Sequence, residues 1–182
     1  MVEIENVVCS GSLGVELDLK HIAADLGSIT EYDPDKYPGM YFRFDEVEPL
    51  ITLYRTGKYI VTGASTKKQA HETRKKFLDI LTRHQIIPTN TDEWFRTQNL
   101  VCTAELGKSL NLNALAIGLG LENTEYEPEQ FPGLIYRPDT FDSVVLLFAS
   151  GRVVITGAPD LETVEQTFSM LSDDITDILD TE

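Results

Sequence analysis

Apolar and polar positions alternate along residues 4–10 (IENVVCS) in a short run rich in β-branched side chains. An alternation of period two predicts a strand. Asn6 and Val8 would lie on one face of this strand, and Val7 and Cys9 would lie on the other. One face is therefore expected to enter a core, while the opposite face carries a polar amide.

Residues 17–26 follow a different pattern, with apolar side chains near helical spacing. Asp18 lies where an N-cap is expected and Gly27 follows the last apolar position, so the pattern predicts a helix. Three or four strands come next, because turn-forming residues interrupt the apolar runs. These residues are Pro34, Pro38, Gly39, Pro49, Thr56 and Gly57.

A long amphipathic helix is predicted from Ser65, and we expect Pro88 to end it. Residues 89–95 (TNTDEWF) are predicted to form a polar link. The helix carries the one basic cluster of the sequence, which consists of Lys67, Lys68, Arg74, Lys75, Lys76 and Arg83. This cluster fits either a solvated helix face or a contact with flanking DNA or a regulator.

The second half of the chain repeats this plan. Aligning residues 6–28 with 99–121 and residues 30–64 with 124–158 gives 23 identities in 58 pairs. The repeat predicts a strand at 97–103, a helix at 110–119, further strands, and a final helix from about Asp160 to Leu179. We divide the chain into repeats at 1–93 and 94–182, which form one fused domain.

Tight turns between consecutive strands imply antiparallel pairing, and helices with one apolar stripe must cover one side of the sheet. The other face would then remain uncovered. Apolar side chains on such a face mark a binding surface. This face is predicted to carry Asn6, Val8, Thr52, Tyr54, Ile60 and Thr62 in the first half, and Asn99, Val101, Ile135, Arg137, Leu146, Phe148, Val154 and Thr156 in the second.

Composition excludes several classes of protein. The apolar runs are too short for a membrane span and the N-terminus does not resemble a signal peptide, so we expect a cytoplasmic protein that does not bind membranes. Cys9 and Cys102 occupy equivalent repeat positions and are expected in the core. The three histidines have no neighbouring carboxylate or cysteine constellation, so we expect no catalytic residues, no metal and no cofactor.

The net charge of −15 is unevenly distributed. Residues 1–93 carry 11 basic and 15 acidic side chains, whereas residues 94–182 carry 4 and 15. Such a surface suits a high-salt cytoplasm or a basic partner, and it ordinarily disfavours binding to phosphates. The uncovered face nevertheless suits the A·T minor groove, whose floor offers only acceptors, so that a few donors among aliphatic groups suffice.

The paired segments FPGLIYR…LLFASGRVVITG and YPGMYFR…TLYRTGKYIVTG, each preceded by QNLV or ENVV, resemble the TATA-binding protein family. The acidic composition is similar to that of haloarchaeal members. The resemblance covers essentially the whole chain. It implies an α+β fold, a pseudo-two-fold saddle with a ten-stranded antiparallel sheet and four helices on the convex face.

The resemblance also implies roles for individual residues. Phe131, Phe148, Tyr37 and Tyr54 would be the aromatic wedges between base steps. The minor-groove contacts would be Asn6, Val8, Ile60, Thr62, Asn99, Val101, Ile135, Leu146, Val154 and Thr156. The phosphate contacts would be Arg43, Lys58, Arg137, Ser150 and Arg152, and Glu127 and Glu129 would contact transcription factor B, which links the complex to RNA polymerase.

Four positions depart from the family pattern. Tyr37 and Tyr54 replace the usual Phe, so that each hydroxyl needs a polar partner. Thr52 replaces the usual Leu, which is expected to make one half of the floor more polar. Pro159 replaces a common basic residue, which removes a phosphate contact. The favoured interpretation is a general initiation factor that bends A/T-rich promoter DNA as a monomer, with a homodimer of the free protein left open. The alternatives are a paralogue with altered promoter choice and a protein-interaction module that binds DNA weakly.

Overall fold

A computed structural model of the chain describes residues 1–47, 49–89 and 93–180. The strands are β1 (Glu3–Ser12), β2 (Thr30–Glu31), β3 (Met40–Phe42), β4 (Leu50–Leu53), β5 (Lys58–Ala64), β6 (Trp94–Glu105), β7 (Thr124–Glu125), β8 (Leu134–Tyr136), β9 (Val144–Leu147) and β10 (Arg152–Ala158). The α-helices of the described ranges are α1 (Leu19–Leu26), α2 (Lys67–Arg83), α3 (Leu112–Gly118) and α4 (Leu161–Asp180). A 3₁₀ turn at Gly27–Ile29 follows α1.

The ten strands form one sheet in the order β2-β3-β4-β5-β1-β6-β10-β9-β8-β7. Antiparallel pairing joins β2, β3, β4, β5 and β1 in turn, and likewise β6, β10, β9, β8 and β7. The predicted ten-stranded antiparallel sheet with four helices is confirmed.

The chain forms two compact units. The first-repeat unit comprises residues 6–98, and the second-repeat unit comprises residues 1–5 and 99–182. The first residues of β1 therefore belong with the second repeat, and the first residues of β6 belong with the first.

In the first-repeat unit, burial follows the period of two predicted for β1. Val7 and Cys9 are buried, whereas Asn6 and Val8 are partly exposed. On the buried face, the Phe77 ring of α2 lies with its centroid 5.0 Å from that of Phe42, in β3. Alternate side chains of each strand therefore enter the core beneath the helix, and the remaining side chains stay on the uncovered face.

The second-repeat unit has the same arrangement. Leu134, Val145 and Ile155 are buried on one face of β8, β9 and β10, and Leu171 and Ile175 of α4 are also fully buried. Cys102 lies in this core and Cys9 in that of the first-repeat unit, and burial raises the pKa of both thiols. Both cysteines are therefore core residues, as predicted.

Helix α1 begins at its predicted N-cap, whereas α2 ends earlier than predicted. Asp18 caps α1 by accepting a hydrogen bond of 3.1 Å from the His21 amide. The helix predicted from Ser65 up to Pro88 ends instead at Arg83. Gln85 has a φ of 58°, and the Ile86 amide donates 2.9 Å to the Leu81 carbonyl, which closes a Schellman motif before the proline is reached.

Residues 90–92 of the predicted polar link lie outside the described residues. Its last two residues, Trp94 and Phe95, belong to β6. Phe95 lies against α2, because its ring centroid is 4.9 Å from that of His71 and 4.7 Å from the Arg74 guanidinium carbon. These contacts explain why the strand begins earlier than predicted. Within the described ranges, the helices are too short or too polar to cross a membrane.

Candidate nucleic-acid interface

The uncovered face of the first-repeat unit consists of side chains arranged in cross-strand rows. The central row pairs Tyr41 with Thr52, Thr52 with Ile60, and Ile60 with Ser10. Ile60 and Ser10 are partly exposed. The predicted contacts Val8 and Thr62 are partly exposed as well.

The second-repeat unit contains the equivalent row. Ile135 pairs with Leu146, Leu146 with Val154, and Val154 with Thr103. All four side chains are partly exposed, as is the predicted contact Val101. The three aliphatic members of this row were predicted from the sequence as groove contacts, whereas Thr103 was not.

The Thr103 hydroxyl at the end of this row donates a hydrogen bond of 2.8 Å to the Glu5 carboxylate of β1. An acidic group that was not predicted therefore contacts a side chain of this face. Pairing across β1 and β6 brings the two residues together, and a linear pattern of apolar positions carries no signal for it.

A bulge fixes the asparagine on each face. The strand register shifts between Val7 and Cys9 in the β1–β5 pair, and the backbone amide of Gly63 donates 2.9 Å to Asn6 Oδ1. Gly63 has a φ of 89°, a conformation that strongly favours glycine in a bulge. Because its oxygen accepts this bond, the amide group of Asn6 presents its NH₂ end as the donor.

Asn99 is held in the same way in the second-repeat unit. The register shifts between Ile155 and Ala158, and the Gly157 amide donates 2.6 Å to Asn99 Oδ1. Asn99 Nδ2 in turn donates 3.2 Å to the Thr156 hydroxyl. An NH₂ group has two protons, so the second proton can serve an acceptor outside the chain. The structure thus brings the predicted Asn and Thr donors together.

An aromatic pair lies beside the row of the second-repeat unit. The Phe131 and Phe148 ring centroids are 5.9 Å apart with an interplanar angle of 66°, and both rings are partly exposed. Gly133 lies directly beneath them. A Cβ at this position would be 2.8 Å from Phe131 Cε1 and 3.1 Å from Phe148 Cε1. Because glycine has no side chain, both rings can pack directly against the backbone.

The first-repeat unit has a tyrosine pair in the equivalent place. The ring centroids of Tyr37 and Tyr54 are 6.2 Å apart at an interplanar angle of 62°, and their hydroxyl oxygens are 2.5 Å apart. The polar partner that each hydroxyl was predicted to need is therefore the other tyrosine. Gly39 lies beneath this pair, and a Cβ there would be 2.7 Å from Tyr37 Cε1.

Tyr41 is a member of this cluster that sequence reasoning missed. Its ring stacks on Tyr37 with a centroid separation of 5.5 Å and an interplanar angle of 4°. The repeat offset contained the signal, because Tyr41 aligns with Ile135, which was predicted as a groove contact.

Thr52 does not have the effect on the polarity of this face that the sequence predicts. It lies on the uncovered face, as predicted, but only 7% of it is exposed. A Cβ on Gly39 would approach the Thr52 methyl group to 2.8 Å, as well as both paired tyrosines, so Thr52 is packed beneath the aromatic cluster. It therefore supports the rings and does not make the surface of this half more polar.

The predicted phosphate contacts are exposed, and two of them form ion pairs within their own unit. Arg137 donates 2.8 Å to Glu125, and Arg43 lies 4.0 Å from Glu31. Exposed pairs of this kind are weak, so either arginine can exchange its carboxylate for a phosphate at little cost. The remaining predicted contacts are the exposed Lys58, Ser150 and Arg152.

The two carboxylates predicted to meet a protein partner lie in the loop that precedes Phe131. Glu127 and Glu129 are exposed. The Glu127 carbonyl accepts bonds from the amides of Gln130 (2.9 Å) and Phe131 (3.0 Å), so the same turn presents the carboxylates and positions the ring. The equivalent loop of the first-repeat unit contains an ion pair of 3.0 Å from Lys36 to Asp33.

In the described part of the chain, His, Cys, Asp and Glu side chains do not form a group that could hold a metal ion. Hydroxyls, amides, aliphatic groups and aromatic rings instead line both uncovered faces. This chemistry suits recognition of a groove.

Comparison with known proteins identifies the family. Residues 1–84 and 94–178 match the family model described as transcription factor TFIID (or TATA-binding protein, TBP). The chain belongs to the TATA-binding protein family. This is a family of DNA-binding transcription factors and not of enzymes.

Relatives within the family are similar over nearly their whole length. TATA-box-binding protein C of Halobacterium salinarum is 50% identical over 179 residues, which is 98% of this chain and 99% of the relative. The TATA-box-binding protein of Haloarcula marismortui is 44% identical over 97% of this chain and 94% of its own. The solved structure of Methanococcus jannaschii TBP has a TM-score of 0.85 and 39% identity, and covers 97% of this chain and 98% of its own.

The hydroxyl pair has a consequence for titration. The hydrogen bond to Tyr37, followed by partial burial, raises the pKa of Tyr54 to about 12. Tyr37→Phe removes this bond, so we expect the pKa of Tyr54 to fall toward the ordinary tyrosine value of about 10. The neutral hydroxyl is the form stabilised by folding, and this contribution is present below about pH 10 and lost as the pH rises toward 12.

Titration of Cζ-labelled tyrosine followed by NMR measures this shift directly. Tyr126→Phe is the control, and it should leave the Tyr54 titration unchanged. A Tyr54 pKa that stays near 12 in Tyr37→Phe would show that the hydroxyl bond is not its cause.

Proposed function

We propose that this protein is a general transcription initiation factor that binds A/T-rich promoter DNA in the minor groove, bends it, and recruits transcription factor B and thereby RNA polymerase. One observation carries the proposal. Each unit of this member of the TATA-binding protein family presents an uncovered sheet face with an anchored asparagine and an aromatic pair. The relatives named above are TATA-box-binding proteins.

The chemistry of each face fits an A·T minor groove. The groove floor offers the acceptors of adenine N3 and thymine O2, which the asparagine NH₂ groups and the threonine hydroxyls can satisfy. Aliphatic side chains such as Val154 and Leu146 cover the rest of the floor. A guanine beneath them would lose hydration at its 2-amino group without gaining an acceptor, which costs about 1–3 kcal/mol.

The aromatic pairs supply the bending. Phe131 and Phe148 are partly exposed apolar rings held on a glycine, and can therefore enter a base step without moving the backbone. Wedges of this kind unstack a base step and kink the duplex, a behaviour for which the TATA-binding protein family is itself a standard example. Arg43, Lys58, Arg137, Ser150 and Arg152 would hold the flanking phosphates.

The protein would act in the cytoplasm at the nucleoid, as a monomer on DNA. Its uncovered apolar faces favour a homodimer when DNA is absent, because association would remove them from water. We expect neither a cofactor nor a catalytic step.

A second candidate, a paralogue with altered promoter choice, is favoured by the tyrosine pair and by Tyr41, since these change one aromatic cluster and leave the other apolar. A protein-interaction module with weak DNA binding is the candidate from a different class. Binding to DNA separates this module from both initiation factors.

We expect an A/T-selective complex at molar KCl. Ordinary counterion release weakens DNA binding as salt rises, but a chain with a net charge of −15 can take up cations between its carboxylates and the phosphates. Affinity should therefore stay level or rise between low and molar KCl in an equilibrium titration. The control duplex replaces the A·T pairs with G·C.

The two possible failures of this titration are distinct. A steep loss of affinity with salt would refute cation uptake alone. The absence of any A/T-selective complex at molar KCl would overturn the proposed function and favour the protein-interaction module.

The two aromatic pairs should bend DNA unequally. Phe148→Ala removes an apolar wedge, whereas Tyr54→Ala removes a ring whose hydroxyl is already bonded to Tyr37 and is costly to bury. We expect Phe148→Ala to reduce the bend angle more, as measured by energy transfer between dyes at the two ends of a short duplex. Equal losses in variants of equal thermal stability would show that the repeats bend DNA equally.

Glu127 and Glu129 should affect the partner more than the DNA. Because both carboxylates are exposed, the double change Glu127→Lys/Glu129→Lys should leave binding to DNA alone intact or stronger. It should weaken assembly of transcription factor B on the DNA complex about tenfold or more, as seen in a mobility-shift titration. Glu162→Lys/Glu165→Lys, two exposed carboxylates on α4, provides the control of equal charge change, and an unchanged ternary complex in the loop variant would exclude this docking site.

A further inference from the structure

We propose that the Tyr37 and Tyr54 hydroxyls accept a hydrogen bond from the 2-amino group of guanine, so that the first-repeat unit tolerates a G·C pair at the base step it contacts. The second-repeat unit would require A·T at its own step. This inference rests on the proposed function, because it concerns what the same face reads. It assigns base discrimination to two residues that stand where the family usually has phenylalanine.

The two aromatic pairs differ in chemistry while keeping nearly the same geometry. Centroid separations of 6.2 and 5.9 Å and interplanar angles of 62° and 66° describe almost the same arrangement of rings. The tyrosine pair adds two oxygen atoms to it. These oxygens are therefore the chemical difference between the two pairs themselves.

The hydroxyl pair has more acceptors to satisfy than donors to use. Each tyrosine hydroxyl has one proton and two lone pairs. The bond from one hydroxyl to the other uses one proton and one lone pair, so one proton and three lone pairs remain. The pair can donate once to a base acceptor, and it needs donors for the rest.

Contact with a base step removes water from these lone pairs. Leaving them unsatisfied costs free energy, and an A·T minor groove offers them no donor. The 2-amino group of guanine is the one base donor on the minor-groove floor. A G·C pair at this step therefore offers a donor to hydroxyl acceptors that remain without a hydrogen bond against an A·T pair.

The surroundings hold the hydroxyls in place for this role. Tyr41 stacks flat on Tyr37, and Gly39 and Thr52 pack beneath the rings. Rings supported on two sides present their oxygens in a fixed position, which is what discrimination between bases needs.

The second-repeat unit has no comparable acceptor at its aromatic pair. Phe131 and Phe148 stand on Gly133, and the neighbouring row begins with Ile135 and Leu146. A guanine amino group against these side chains loses its water and gains nothing. The protein would thus distinguish the two ends of its site and bind an asymmetric promoter in one orientation.

The test introduces the minor-groove amino group of guanine into an A/T-rich duplex without changing the pairing partner of any base. In an A/T-rich duplex, each adenine is replaced in turn by 2,6-diaminopurine, which still pairs with thymine and carries the minor-groove amino group of guanine. Dissociation constants are measured at molar KCl for the full-length wild type and for Tyr37→Phe/Tyr54→Phe. Comparing the two proteins on the same modified duplex cancels any change in the stiffness of the DNA.

At one terminal step, the wild type should bind the modified duplex within about twofold of the unmodified one, and the double variant should bind it roughly 3–10-fold more weakly. At the other terminal step, both proteins should lose affinity equally. The control Tyr126→Phe should behave as the wild type. The transplant Phe131→Tyr/Phe148→Tyr should confer tolerance on the second step.

Identical responses of the wild type and the double variant at every position would overturn the inference and leave the proposed function intact. Failure of the wild type to bind the unmodified duplex would overturn the proposed function, and this inference with it.

Discussion

Side chains of a β-strand point alternately to its two faces, and in each unit the helices cover only one of them. In β1 this rule buries Val7 and Cys9 and leaves Asn6 and Val8 accessible. The buried set forms the core that stabilises the unit. The accessible set is thereby held on a rigid sheet, and evolution can adapt its chemistry to a ligand without disturbing the core.

Glycines at a few positions orient the asparagine donors and support the aromatic rings of the uncovered faces. Gly63 and Gly157 form bulges whose amides bind Asn6 and Asn99, which turns both side-chain NH₂ groups into oriented donors. Gly133 instead gives Phe131 and Phe148 a flat backbone to rest on, as Gly39 does for the tyrosine pair. Donors on the floor and rings beside it are the requirements for reading and deforming a minor groove.

Much of this arrangement follows from the linear pattern of residues. Alternation in β1 and the repeat offset predicted which side chains share the uncovered face, and Asp18 correctly marked the start of α1. Features that depend on tertiary contact were not predictable in the same way. Thr52 packs beneath a cluster that includes Tyr37 and Tyr41, and Glu5 meets Thr103 only through strand pairing. The early end of α2 is instead a local effect, because a Schellman motif forms around Gln85, which lacks the glycine that usually marks such an end.

If the uncovered faces read the minor groove, as proposed, one measurement separates this mode from recognition through the major groove. Inosine·cytosine pairs keep the minor-groove acceptors of A·T pairs and present the major groove of G·C. Replacing all A·T pairs of a bound duplex with inosine·cytosine should leave the dissociation constant at molar KCl within a few-fold of its original value. A loss of affinity as large as that caused by G·C replacement would contradict minor-groove recognition.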